Sequence, residues 1–261
     1  MRPLRALRLL VLTVGVALAA RAPLRAQVPE RFENLKVLPT DIPRDSLIQI
    51  MRGFALSLGV RCQYCHVQGQ PAADGRETMD FESDEKPEKE KARFMMRMVR
   101  DLNTTVLPHV PHRRRPQVTM GCVTCHRGLP VPTTLDRVLE VALDSGGAPA
   151  AVARYRQLRE QTLEQGRYDF SETTVNELSR RLAARGRTAE AVALMEMNAE
   201  LHPNSAAIDF QLGELHRARG ETDRAIARYR MALEKDPRNQ NARRQLDALT
   251  GAAPAPAPPR P

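Results

Sequence analysis

The sequence predicts a mainly α-helical protein of two unlike halves: short helices and long loops first, then a repeated run of helices. Three observations predict it. Apolar residues recur at i, i+3, i+4 and i+7 within residues 47–58 and 95–102, the spacing of one helix face. A pattern of small and apolar residues within 178–203 returns within 212–237, as stacked helical hairpins require. All four cysteines precede residue 126, and residues 150–250 read as helix throughout.

Hydrophobic residues make up 42% of the 261, enough for a packed core and for one or two domains. Aromatics are only 4% and Trp is absent, so large side chains are scarce and part of the interior is left for something else.

The elements follow in order. Arg2, Arg5 and Arg8 form a basic n-region before Leu9–Ala20, an apolar run too short to span a bilayer comfortably. Residues 1–26 therefore read as a secretory signal cut after Ala26, with Ala19 and Ala22 as other sites, and the chain is expected in the periplasm. An uncleaved N-terminal membrane anchor is the alternative. No Cys lies near the cut, which argues against a lipid anchor. The formal charge of +9 on its own suggests nucleic acid. Residues 1–26 contain five arginines and no acid, so their removal leaves +4. No nucleic-acid partner is expected, although Arg113, Arg114 and Arg115 remain a local cluster.

Residues 27–135 form the first domain. Within it Pro43–Leu58 reads as a helix, with Pro43 in the first turn and Gly59 just past the end. Leu47, Ile50, Met51, Phe54 and Leu58 share one face. A second helix spans Pro87–Thr105, with Met95, Met98, Val99 and Leu102 on its apolar face and Met96 elsewhere. His109 follows in the Pro108–Pro116 loop. Residues 136–149 end in DSGGAP and read as a linker.

Residues 150–250 form the second domain. Leu212, Gly213, Ala225, Tyr229 and Pro237 fit a tetratricopeptide-like pattern, and Leu178, Ala191, Met195 and Pro203 stand one period earlier. The small residues let paired helices approach closely, and each Pro begins the following turn. Asp209 and His216 replace the usual Trp and Tyr. Helices at Ala151–Gln165 and Asn239–Leu249 supply the ends of the stack, and His202 and His216 read as structural. Residues 251–261 are a Pro/Ala tail that cannot bury a core.

Two motifs carry the chemistry: Cys62-Gln63-Tyr64-Cys65-His66 and Cys122-Val123-Thr124-Cys125-His126. Each is C-x-x-C-H, the haem c attachment motif. Two thiols reach the two vinyl groups of one porphyrin and form thioethers. The next residue then falls under the iron, and its imidazole becomes the proximal ligand. A zinc ribbon or two disulfides would leave His66 and His126 unexplained. A thioredoxin-like site needs a βαβ pattern, which is not seen. Two covalently bound haem c groups are therefore expected, and their propionates would bring the exported protein near neutrality.

The sixth ligands are less defined. Met51 lies on the apolar face expected to cover the first haem, so its thioether can reach the iron; a Met on such a stripe is otherwise core. For the second haem Met95 and Met98 compete on the second helix, with His109 as a rival.

These residues resemble the tetrahaem cytochrome subunit of bacterial photosynthetic reaction centres. The resemblance runs over about residues 33–132: Asn34-Leu35-Lys36-Val37-Leu38, the Met51 helix, Cys62–His66, Ala92-Arg93-Phe94-Met95-Met96-Arg97-Met98, Asn103, His109, and Gly121 to Pro132. In that family a helix before each motif supplies an axial Met to most haems, and one haem takes a His from a loop. The resemblance thus implies Met51 and Met95 as ligands and keeps His109 in play. It implies electron transfer and a haem fold, not photosynthesis. This chain has half the motifs, no lipid-attachment Cys, and a repeat half that the photosynthetic subunit lacks.

The expected function is an electron carrier rather than an enzyme, since iron with both axial positions filled has no site for substrate. Its partners would be redox proteins, soluble or in a membrane, and a homodimer would rebuild a four-haem arrangement. A dihaem peroxidase, or a repeat-based assembly protein with redox input, are the alternatives.

Overall fold

The computed structural model describes residues 31–112, 116 and 118–251. The signal segment, the Arg113–Arg115 cluster and nearly all of the Pro/Ala tail lie outside them. The fold is mainly α-helical, as expected. The described chain forms two compact units, residues 31–42 with 63–94 and residues 43–62 with 95–251.

In the first unit, β1 (Val67–Gln68) pairs antiparallel with β2 (Met79–Asp80), Val67 opposite Asp80 and Gln68 opposite Met79. Strands of two residues leave no periodicity to read. Asp84 ties the unit together. It accepts from Asn34 at 2.9 Å, from Lys36 at 2.6 Å and from the buried Arg93 guanidinium at 2.9 Å, with Lys89 at 3.3 Å. Arg93 also donates to the Asn34 carbonyl at 3.2 Å.

In the second unit, α1 (Arg44–Leu58) begins after Pro43 and ends at Gly59, whose φ of 67° is the left-handed cap that glycine favours. The helix α2 (Pro87–Asp101) contributes its last turns here. It passes into a single π turn, Leu102–Val106, and a 3-10 turn, Leu107–His109. The sequence reads 87–105 as one helix; the widened turn falls where Asn103 leaves the helix to bind a distant backbone. The short α3 (Cys122–His126) holds the second motif.

In the stretch 136–149, expected as a linker, the chain is helical on both sides of a break. The element α4 runs from Leu135 to Thr162, bent at Gly146 and Gly147, the latter at φ 67°. Leu135, Leu139 and Leu143 lie one turn apart, at most 3% exposed, in the same core as Tyr155, Leu178 and Leu212. DSGGAP interrupts the helix, with Gly147 and Pro149 supplying the break.

Five further helices follow: α5 (Glu172–Ala184), α6 (Thr188–Leu201), α7 (Ala206–Ala218), α8 (Thr222–Lys235) and α9 (Gln240–Thr250). The starts of α5 and α7 are 34 residues apart, as are those of α6 and α8. The residues that carry the repeat, Leu178 and Leu212, Ala191 and Ala225, Met195 and Tyr229, are all fully buried. Gly213 is required by contact: a Cβ there would meet the Tyr229 ring at 2.5 Å. Asp209, fully buried, pairs with Arg228 at 2.9 Å and with Lys235. Its carboxylate occupies the position of the expected aromatic and joins α7 to α8 by charge, since a buried carboxylate must be paired. His216 lies 2.7 Å from Glu221.

Candidate functional site

The two motifs are held by different local devices. Cys62–Tyr64 forms one turn of 3-10 helix, and the β1–β2 hairpin follows at once. The hairpin places the Phe81 ring edge-on to His66, centroids 5.0 Å apart at 69°. His66 Nδ1 is buried with no hydrogen-bond partner. Burial lowers the His66 pKa and Lys89 lowers it further, while the Phe81 carbonyl and Asp80 act the other way. The ring is thus kept neutral, the form with a lone pair for a metal. Lys86 donates to the Gln63 carbonyl, and Lys89 to the carbonyls of Phe81 and Ser83 at 2.8 Å.

The second motif is clasped from two sides. Asn103 donates through Nδ2 to the Met120 carbonyl at 2.9 Å and accepts the Met120 N–H at 2.8 Å. This pair of hydrogen bonds pins the chain segment that enters the motif. Thr124 Oγ1 accepts the Gly121 N–H at 3.0 Å, capping α3, and Arg127 at φ 49° ends it. Past the motif, the Gly128 N–H donates to the Ser57 carbonyl at 2.8 Å. That bond brings the end of α1 against the chain just after His126. A Cβ on Gly59 would come within 2.2 Å of the Gly128 oxygen, so the approach demands glycine at 59, while Gly128 is favoured by its own φ of 80°.

His126 Nδ1 lies 2.8 Å from the Leu129 carbonyl. A carbonyl only accepts, so the proton sits on Nδ1 and the Nε2 lone pair is left for iron, the usual arrangement behind a metal-bound imidazole. His109 Nδ1 stands 2.6 Å from the Thr105 carbonyl. The same logic gives its exposed ring a free Nε2. Met95 and Met98 are 40% and 38% exposed, and Met51 is half-buried on α1.

Burial raises the Cys122 thiol pKa, and none of the four cysteines is in a disulfide. No group of three or more His, Cys, Asp or Glu among the described residues is arranged to hold a metal ion by itself. A cleft of about 470 Å³ opens beside the second motif, lined by Cys125, His126 and Leu129 and by Arg167, Tyr168 and Thr174 from the repeat side.

The residues fit haem on one further count. Among the described residues only one buried apolar side chain, Leu47, precedes Leu135. Leu56, Tyr64, Phe94, Met95, Met98 and Val123 are exposed instead. An exposed apolar surface of this kind needs a covering group, and a flat apolar macrocycle bound at each motif is such a group.

The sequence reading missed Asp84, Phe81, Gly128 and Arg167, all of which act through contacts distant in the chain. Asn103 was quoted only within the resemblance; its clasp on Met120 carries no local pattern.

Residues 14–141, just under half of the chain, match the family described as photosynthetic reaction centre cytochrome C subunit. Cytochrome c-554 of Chloroflexus aurantiacus is 39% identical over 74 residues, 28% of this chain. The chain spans 15% of the length of that curated relative. The solved structure of Naa15/Naa10 bound to HypK-THB is similar over 44% of this chain and 16% of its own, with 22% identity and a TM-score of 0.31. The family and relative support a c-type cytochrome of the reaction-centre kind, a class that transfers electrons on covalently bound haem and faces the periplasm or exterior. Among the described residues no helix is long and apolar enough to cross a membrane.

Proposed function

We propose that this chain is an exported c-type cytochrome with two covalent haems, an electron carrier whose tetratricopeptide-like repeat docks a redox partner. Cys62 and Cys65 would hold the first haem and Cys122 and Cys125 the second, with His66 and His126 as their iron ligands. Met51 serves the first iron from above and Met95 the second, with Met98 and His109 as competitors for that place. The haems supply one-electron chemistry. The protein's own residues orient the imidazoles, exclude water and set the potentials. Residues 27–135 act as the haem domain and 150–250 as the repeat, joined through α4.

The observation that supports this reading is the near-empty apolar interior before Leu135, set around two C-x-x-C-H motifs. The repeat half carries no motif of its own, and holding a partner beside a haem raises its effective concentration without new chemistry. The test is the intact mass of the denatured, matured protein, which should exceed the polypeptide by two haems. The reduced protein should be low-spin and indifferent to CO. A bare polypeptide mass defeats the haem reading, and CO binding would make the protein an enzyme. In a complex with its redox partner, amides of 172–250 should gain protection from exchange; protection confined to the haem half defeats the docking role.

A further inference from the structure

Arg167 stands where the 3-10 turn after α4 ends, outside the residues that match the cytochrome family. It lines the cleft beside the second motif. A Cβ at Gly128 would lie 3.1 Å from its Nε and 3.4 Å from its Cζ, so the guanidinium rests against the backbone just after His126. It is half-buried. Neither a hydrogen bond nor an ion pair joins it to any described residue. Its neighbours are otherwise: Arg181 pairs with Asp136, Arg187 with Asp144 and Glu190, Arg156 with Glu200. A partly desolvated cation without an anion is costly, and such a position is explained by an anion that arrives with a ligand.

The carboxylates that share the cleft are already engaged. Asp136 accepts from Arg181 at 2.6 Å. Asp169 accepts the Ser171 N–H at 2.9 Å, and that bond, with Arg127 adding to it, holds its carboxyl below the usual range. Tyr168 also lines the cleft and stacks edge-on with Phe170 at 6.2 Å. What remains for an entering anion is Arg167, with Arg127 at the rim.

We propose that Arg167 is a positioning and potential-setting residue for the haem at Cys122–His126: the repeat half lends the second haem a cation that receives its carboxylate edge. This rests on the dihaem reading above. Oxidation of haem iron adds one positive charge, so a nearby fixed cation disfavours the oxidised state and raises the potential. The repeat half would then tune one haem and leave the other alone.

The experiment is a spectroscopic redox titration of the matured full chain, with the second haem assigned by proton NMR contacts from its thioethers to Val123. Arg167→Gln should lower that haem's midpoint by at least about threefold in the reduction equilibrium, about 28 mV at the ~59 mV per tenfold of a one-electron couple. Arg167→Lys should keep most of the wild-type value, and the first haem should not move. An unchanged midpoint, an equal shift of both haems, or failure of Lys to restore the value overturns the proposal. Should Arg167→Gln lose its helical circular dichroism, Asp169→Asn decides: it removes an exposed negative charge from the same cleft and should raise the same midpoint, whereas no shift overturns the proposal. Intact mass is recorded on every variant. Absence of the second haem from the wild-type chain defeats the dihaem reading and this proposal with it, whereas two haems present with an unchanged midpoint in Arg167→Gln defeat this proposal alone.

Discussion

Gly59→Ala perturbs the contact between the end of α1 and the chain after His126. Two costs add. Gly59 is at φ 67°, where a Cβ costs roughly 1 kcal/mol. The new Cβ would also lie 2.2 Å from the Gly128 oxygen and 2.9 Å from its carbonyl carbon. Ordinary contact begins at 3.4 Å, so Gly128 must retreat by about 1.2 Å. It has nowhere easy to go, because its N–H is tied to Ser57 at 2.8 Å and Arg167 stands on its other side. Such overpacking costs about 1–3 kcal/mol. Gly166→Ala is the control: φ is 61° and nothing lies within 4 Å of its Cβ position, so only the backbone cost applies. Gly59→Ala should therefore unfold below Gly166→Ala by about 2 kcal/mol, or roughly 4–8 °C in a unit of this size. The assay is thermal unfolding of the matured protein, followed at the haem band and in the far ultraviolet. The displaced Gly128 should also disturb the His126–Leu129 bond and broaden the haem spectrum. Equal melting temperatures for the two variants would refute the steric argument.

Three further outcomes are expected. Met51→His should keep a low-spin haem but lower one midpoint, because a Met ligand favours reduced iron; two unchanged midpoints return Met51 to the core. Substituting Met95, Met98 and His109 singly by Ala should abolish the low-spin spectrum of the second haem in one variant, expected to be Met95→Ala, and if no variant does so the ligand lies elsewhere. Asp84 is held well below the usual carboxylate range by Arg93 first and Lys36 next. Its folded pKa lies below the unfolded one, so its contribution is complete above the ordinary Asp value of about 4 and is lost as pH falls below it. Wild type should be more stable than Asp84→Asn at neutral pH, and their melting temperatures should converge in strong acid; a constant difference down to pH 2 would show that the ion cluster is not the source.

Much of the helical frame was legible because it is written in local spacing. Pro43 and Gly59 bracket α1, and the repeat of Leu178, Ala191 and Met195 in Leu212, Ala225 and Tyr229 places two hairpins. The C-x-x-C-H motifs are likewise local. The helical turns within 136–149 are masked by composition: Gly146, Gly147 and Pro149 look like a linker, while the signal for helix is the periodicity of Leu135, Leu139 and Leu143 before the break. Asp84, Asn103 and Arg167 were beyond reach for another reason. Each acts on a residue 17 to 50 positions away, or on a partner outside the chain, and neither spacing nor composition encodes such a pairing.

The absence of a packed interior before Leu135 also bears on how the cell would handle the polypeptide. The repeat half can fold without a cofactor, since its core is all protein. On the dihaem reading, residues 31–134 would pack fully only once haem is joined to them, because the group supplies apolar interior that the described residues there lack. A chain that misses this step would display a long cleavable segment beside a resistant one. Proteases would then remove unfinished molecules by the same physical difference that lets the attachment machinery reach the cysteines.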